Sequence, residues 1–302
     1  MTATVWGPFL VNFLFWSGLS IGAPIFAALL ELTDATWAVP LQPIAKRFRR
    51  FLPVSFALYA AVFAAAGMFR WRDAAALAAS YIAAFSNPVA CVIVYPVAWS
   101  LVAIDVLMAM DPGWVSTLFP AYAFTANVYG GIAAVALAAL VALPRRVLER
   151  GMARDLGSVL LGFALIWLYF TWTQFLVIWY GNLPREAGYV TARLSDGWKP
   201  VAWLVLGTRC AVPAAVLMTR TGKRRIPLAL TAGVVFAGFW IECWWLIVPS
   251  LPGRMSAGST AAITAAFCLL FAASQLQVPR RRRPRSAPLQ TATAAAARAN
   301  SL

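Results

Sequence analysis

Asp105, Arg209 and Glu242 are the charged residues of this 302-residue chain that lie deep within long apolar stretches. A charge in a membrane span costs about 2.5–3.5 kcal/mol on insertion scales, so each must be paired or used. Arg209 sits midway along 200–218, too far from either end for its side chain to reach water. It therefore needs a carboxylate, either Glu242 or Asp105. A carboxylate in a low-dielectric setting can load and release a proton. Asp105 and Glu242 are accordingly candidates for a proton relay, and Arg209 for an ion pair. The plainer alternatives are a helix–helix hydrogen bond for Asp105 and a fixed structural pair for the other two. Asp111, followed by Pro112 and Gly113, has the pattern of a turn residue.

The absent chemistry is as informative. The chain has no histidine. It cannot offer imidazole to haem or zinc, complete a Ser-His-Asp triad or switch charge through His near neutral pH. Its four cysteines, Cys91, Cys210, Cys243 and Cys268, all lie in apolar runs, and no two have CxxC spacing. No metal site and no resident redox cofactor are expected of this chain.

These residues need elements to position them. With 62% hydrophobic and 12% charged residues, the chain is neither an ordinary soluble domain nor disordered. A helix crosses the hydrocarbon core with roughly 20 apolar residues. Eight stretches qualify, at about 6–30, 51–69, 86–110, 116–143, 156–181, 200–218, 226–248 and 258–278. The expected fold class is all-α, a polytopic transmembrane helical bundle over 1–278 with about eight spans. The segment from Ala74 to Phe85 is apolar but short, and reads as an interfacial helix or an extension of the third span. Residues 279–302 form a basic, Ala-rich tail whose partner is an anionic lipid surface. Lacking aromatic residues for stacking, that tail does not read as a nucleic-acid site. Eight spans put both termini on one side. Sixteen Lys and Arg would share that side against eight opposite, which predicts cytoplasmic termini.

The fifth span, FALIWLYFTWTQFLVIWYGNLP, mixes Thr171, Thr173, Gln174, Tyr180 and Asn182 with a dense run of aromatics. Trp179 and Tyr180 at its end suit an interfacial belt, and such rings also wall quinone pockets. Gly18 and Gly22 make a GxxxG in the first span, which fits close helix packing. The segment WYGNLPREAGYVTARLSDGW, Trp179 to Trp198, resembles the signature loop of the membrane subunits of alternative complex III. That complex is a quinol:cytochrome c or cupredoxin oxidoreductase whose membrane subunits are similar to the polysulfide reductase membrane anchor. Trp179, Tyr180, Asn182, Leu183, Pro184, Glu186, Tyr189, Arg193 and Trp198 carry the likeness, while Arg185 replaces an acid. Met110 to Thr117 (MDPGWVST), Trp240 to Pro249 (WIECWWLIVP) and Thr33 to Phe48 (TDATWAVPLQPIAKRF) extend it, with Glu242 where the family usually has Asp.

The resemblance implies the smaller of two related integral subunits, in a bacterial cytoplasmic membrane. It further implies an electron-transport role without a redox centre of its own, beside a quinone and iron–sulfur and multihaem cytochrome partners. Trp179, Tyr180, Asn182, Glu186 and Arg193 would then lie in an outer-face loop near the quinone. Because relatives have about ten spans, it also implies a missing helix pair between Phe69 and Val102. A secondary transporter, whose deep charges would bind substrate and coupling ion, is the alternative from another class. A non-catalytic assembly subunit is the third.

Overall fold

The computed structural model describes residues 3–276 apart from 66, 196, 252 and 254. The tail at 279–302 lies outside the described residues. Among the described residues there is no strand, as expected of an all-α bundle. Eight helices are long and apolar enough to cross a membrane. In chain order the elements are α1 (Ala3–Leu32), α2 (Gln42–Ala65), α3 (Trp71–Ser86), α4 (Pro88–Met110) and α5 (Phe119–Ala142). They continue with α6 (Ala153–Gly181), the surface helix α7 (Pro184–Leu194), α8 (Lys199–Leu217), α9 (Arg225–Ser250) and α10 (Ala257–Leu276).

Helix α1 is the hub, buried on nearly all sides and packed against α5, α10, α4 and α9. Its GxxxG works as the sequence suggests. A Cβ on Gly18 would strike the Asn127 amide, and one on Gly22 would strike the Asn127 backbone, so α1 and α5 touch main chain to main chain. Asn12 spends its polarity within the bundle. It donates to Pro8 O and Thr264 Oγ1, each at 2.9 Å, and accepts from Trp240 Nε1 at 3.3 Å.

Helix α3 corrects one expectation. The segment around Ala74–Phe85 is not an extension of the next span. It is a separate helix running antiparallel to α4 and beside α2. Asn87 makes the sharp turn between them, its side chain capping α4 at the Ala90 N–H (2.8 Å) while Pro88 occupies the first helical turn. At one end of α3, Arg49 Nη1 donates to Ala84 O at 3.3 Å; at the other, Arg72 pairs with Asp105. Sixteen residues rise about 24 Å, so α3 runs beside α4 for most of its length, although it is not one of the eight helices long and apolar enough to cross a membrane. The pair α3–α4 thus occupies the region from Phe69 to Val102 where the resemblance implies a missing pair.

A ninth helix along the bundle axis changes parity. The start of α1 lies against the α9–α10 connection, with Gly7 beside Met255 and Leu251. The end of α10 lies against the start of α2, where Arg47 Nη2 and Arg50 Nη1 donate to Gln275 O at 2.7 and 3.1 Å. The two described chain ends are therefore at opposite ends of the bundle, not at the same end as eight crossings require. One end, here called the basic end, gathers Lys46, Arg47, Arg49, Arg50, Arg145, Arg146, Arg154, Arg220, Lys223, Arg224 and Arg225. The other, the aromatic end, holds the start of α1, the 111–118 loop and α7.

Candidate functional site

Two of the three deep charges meet. Arg209 Nε lies 2.7 Å from Glu242 Oε2, and both side chains are fully buried. Glu242 Oε1 accepts from the Tyr122 hydroxyl and from Trp167 Nε1 at 2.7 Å. Arg209 donates from Nη2 to Ala126 O at 3.2 Å and packs over Tyr129, its Cζ 4.3 Å from the ring centroid. The backbone around it is unusual for a physical reason. Residues Gly207–Ala211 form a π-helical turn, and Pro213 has no N–H for the Arg209 carbonyl four residues back. The Tyr129 hydroxyl donates to that carbonyl at 2.8 Å instead. Small neighbours make room, as Gly238 on α9 faces Thr208 and Arg209 where a Cβ would collide.

Asp105 does not meet Arg209. It sits on another π-helical turn, Ala103–Leu107, and pairs with Arg70 Nη1 at 3.1 Å and with Arg72. Both arginines come from the α2–α3 junction and are more than half exposed, whereas the Asp105 side chain is almost covered. Asp73, buried on α3, lies 3.9 Å from Arg72 Nε and completes a cluster of two acids and two bases. The structure does not bring the two relay candidates, Asp105 and Glu242, together.

Beside the buried pair opens a cleft of about 380 Å³ walled by aromatic rings: Tyr122, Trp167, Phe175, Tyr189, Trp203 and Trp245. Its α6 wall is one helical stripe, in which Trp167, Thr171, Gln174 and Ile178 follow each other at three- and four-residue steps. Tyr122 and Trp167 line the cleft and bond Glu242 behind it, so the carboxylate is one hydroxyl away from whatever the cleft holds. A second cavity, about 30 Å³ and roughly the size of one water, lies on the far side of Tyr122. It is lined by Glu242 and Trp99, and buried Trp99 Nε1 has no hydrogen-bond partner.

The outer mouth is built by a stack. Trp114 and Tyr189 lie face to face at 3.7 Å and 8°, and the Arg193 guanidinium covers the other face of Tyr189 at 3.5 Å. Arg193 is buried and tied across the bundle, with Nη2 donating to Leu246 O and Ser250 Oγ, each at 2.7 Å. Burial pushes the Tyr189 phenol up to about 12, so it stays neutral at physiological pH. The same desolvation lowers Arg193 below the usual guanidinium range.

Of the five loop residues singled out in the sequence, only Arg193 lines the cleft. Trp179 and Tyr180 are exposed at 66% and 87% and face outward from the end of α6. Asn182 ends that helix with φ +44°, and Glu186 lies in the first turn of α7, half-buried. Asp111 is the turn residue expected of it, its carbonyl accepting from Trp114 N at 3.0 Å. Nothing in the sequence around Arg70, Arg72, Asp73, Tyr122 and Trp167 marks them as site residues; the fold alone does. Among the described residues no cluster of three or more Cys, Asp and Glu could hold a metal. Three of the four cysteines are buried, and Cys268 is exposed on α10. The segments 111–117, 179–198 and 240–249 converge here through Trp114, through Tyr189 and Arg193, and through Trp245 and Leu246. The chain matches no protein-family model, and no curated protein matches it either.

Proposed function

We propose that the chain is an integral subunit of a quinol-oxidising electron-transport complex, of the alternative complex III type, and that the aromatic cleft receives the quinol ring. The observation that carries this is the Tyr122 hydroxyl, which lines a flat-walled apolar cleft and donates to a carboxylate buried behind it. Quinol oxidation requires a planar apolar slot and a proton acceptor at one hydroxyl. Here Tyr122 accepts one of the quinol's two protons at Oη while passing its own to Glu242; the proton of the other hydroxyl leaves to water at the open mouth of the cleft, and the two electrons leave to an iron–sulfur or multihaem partner at the aromatic end. Arg209 stabilises the Glu242 anion between turnovers. Asp105 takes no part in that transfer, since Arg70 and Arg72 already neutralise it.

A short-chain benzoquinone or naphthoquinone titrated into the purified chain quenches its tryptophan fluorescence saturably, with micromolar affinity. Ala202→Trp, which fills the cleft from α8, weakens that binding at least tenfold. Non-saturable quenching, or equal quenching in the variant, would show that the rings only partition into the detergent micelle.

The distribution of charge between the two ends supports an orientation. Among the described residues, twelve Lys and Arg, with Arg150 counted, belong to the basic end and five to the aromatic end. That asymmetry supports a cytoplasmic basic end and an external aromatic end, with the N-terminus outside and the C-terminus inside. In intact cells, Met68→Cys in a Cys268→Ser background reacts with a membrane-impermeant maleimide added from outside. Labelling only after lysis would return the chain to eight crossings with an internal N-terminus.

A further inference from the structure

A larger cleft, about 1320 Å³, opens at the basic end, where the start of α6 meets the α8–α9 connection. Arg145, Arg154, Arg220, Lys223, Arg224 and Arg225 line it, and among the described side chains no acidic one does. Among the described residues none of these six forms an ion pair. Two are held by neutral groups: Lys223 Nζ donates to Ser158 Oγ at 3.0 Å and Arg225 Nη2 to Leu140 O at 3.1 Å. Buried Arg225 Nε has no partner at all. Six cations around one cavity repel each other, and an anion seated among them relieves that repulsion more than water and mobile salt do. Asp155, next in sequence to Arg154, does not line the cavity and cannot serve.

The lining also says which kind of anion. Met218 at the end of α8 and Ile226 at the start of α9 border the cations and are exposed at 64% and 71%. They stand where these two helices leave the apolar layer, so the cationic cavity is continuous with a surface suited to acyl chains. A soluble phosphate has no use for that surface. We propose that this cleft binds the phosphate headgroup of an anionic phospholipid, its acyl chains lying along Met218 and Ile226. The proposal does not depend on what the aromatic cleft holds.

Native mass spectrometry of the detergent-purified chain, offered equal phosphatidylglycerol and phosphatidylcholine, tests it. Retention of phosphatidylglycerol at least tenfold above phosphatidylcholine is expected, falling as salt is raised. The triple variant Arg154→Gln/Arg220→Gln/Arg224→Gln loses that preference, and the single Arg220→Gln, at an exposed position, lowers it about threefold. Arg146→Gln, exposed at the same end but outside the cleft, changes it less than twofold. Equal retention of the two lipids, or a preference untouched by Arg220→Gln, would overturn the proposal. Displacement of the lipid by 10 mM inorganic phosphate would overturn it too, by reassigning the cleft to a soluble anion.

Discussion

Replacing Glu242 by glutamine destabilises the folded chain by about 3–5 kcal/mol, because a buried guanidinium is left without its anion. Arg209 is fully buried, and its neighbours offer only the Ala126 carbonyl and aromatic faces besides Glu242. Guanidinium does not deprotonate in proteins, so the charge stays where it is. Arg209→Leu costs less, since the abandoned carboxylate neutralises itself by binding a proton and keeps its bonds from Tyr122 and Trp167. The double variant Arg209→Met/Glu242→Gln recovers most of the loss, as buried pairs exchanged for neutral groups of similar volume generally do. Thermal unfolding midpoints and monodisperse yield in detergent measure all three. Near-wild-type stability of Glu242→Gln alone would mean that water reaches the pair, and that the fold does not depend on it.

The need for that pair is legible in the amino-acid sequence, because insertion cost alone demands that Arg209 find a carboxylate. Which carboxylate is a matter of parity. With eight spans, Arg70 and Arg72 fall on the opposite side of the membrane from the loop after Asp105, so they cannot be its partners. The ninth helix, α3, brings them to it. Hydropathy misses α3 for a definite reason. Its inward face carries Asp73, Leu77, Ser80, Tyr81 and Ala84 and is covered by α2 and α4, while Trp71, Ile82 and Phe85 are exposed on the other face. A helix covered by protein needs less apolar surface than one facing acyl chains, and a length and hydropathy rule sees only the latter. The anomalous cluster Lys46, Arg47, Arg49 and Arg50 is the signal that the sequence does carry. Four bases on the poorly charged side indicate a missed crossing upstream of the third span.

The cleft is less visible than the pair. The conspicuous aromatics of the fifth span, Trp179 and Tyr180, lie at its outer end and face away from the bundle. The cleft wall uses the same helix one face around, at Trp167, Thr171, Gln174 and Ile178. Helical spacing of those four is readable, but nothing in one sequence says which stripe of an aromatic-rich helix faces inward. Tyr122 is hidden for a related reason: a tyrosine near the end of a span has the ordinary look of an interfacial anchor. Only its contact with Glu242 distinguishes it.

The chemistry proposed for the cleft rests on that contact. In membranes containing the whole complex, Tyr122→Phe lowers the rate of quinol oxidation by about 10²-fold, the low end of what a positioned acid–base group contributes. The substitution keeps the ring, and with it the packing against Phe119 and the cleft wall, but removes the one hydroxyl that both faces the cleft and bonds Glu242. Quinone affinity should therefore change less than threefold, separating a lost proton transfer from a lost binding surface. Tyr189→Phe is the matched control. Its ring also lines the cleft, but its phenol, pushed up to about 12 by burial, neither ionises at physiological pH nor touches a carboxylate. It should retain at least a third of the wild-type rate, since the stack of Trp114, residue 189 and Arg193 needs only the ring. Equal losses in the two variants would mean that both tyrosines act through packing. Full activity of Tyr122→Phe would remove Glu242 from the proton path and leave the Arg209 pair with a structural role alone.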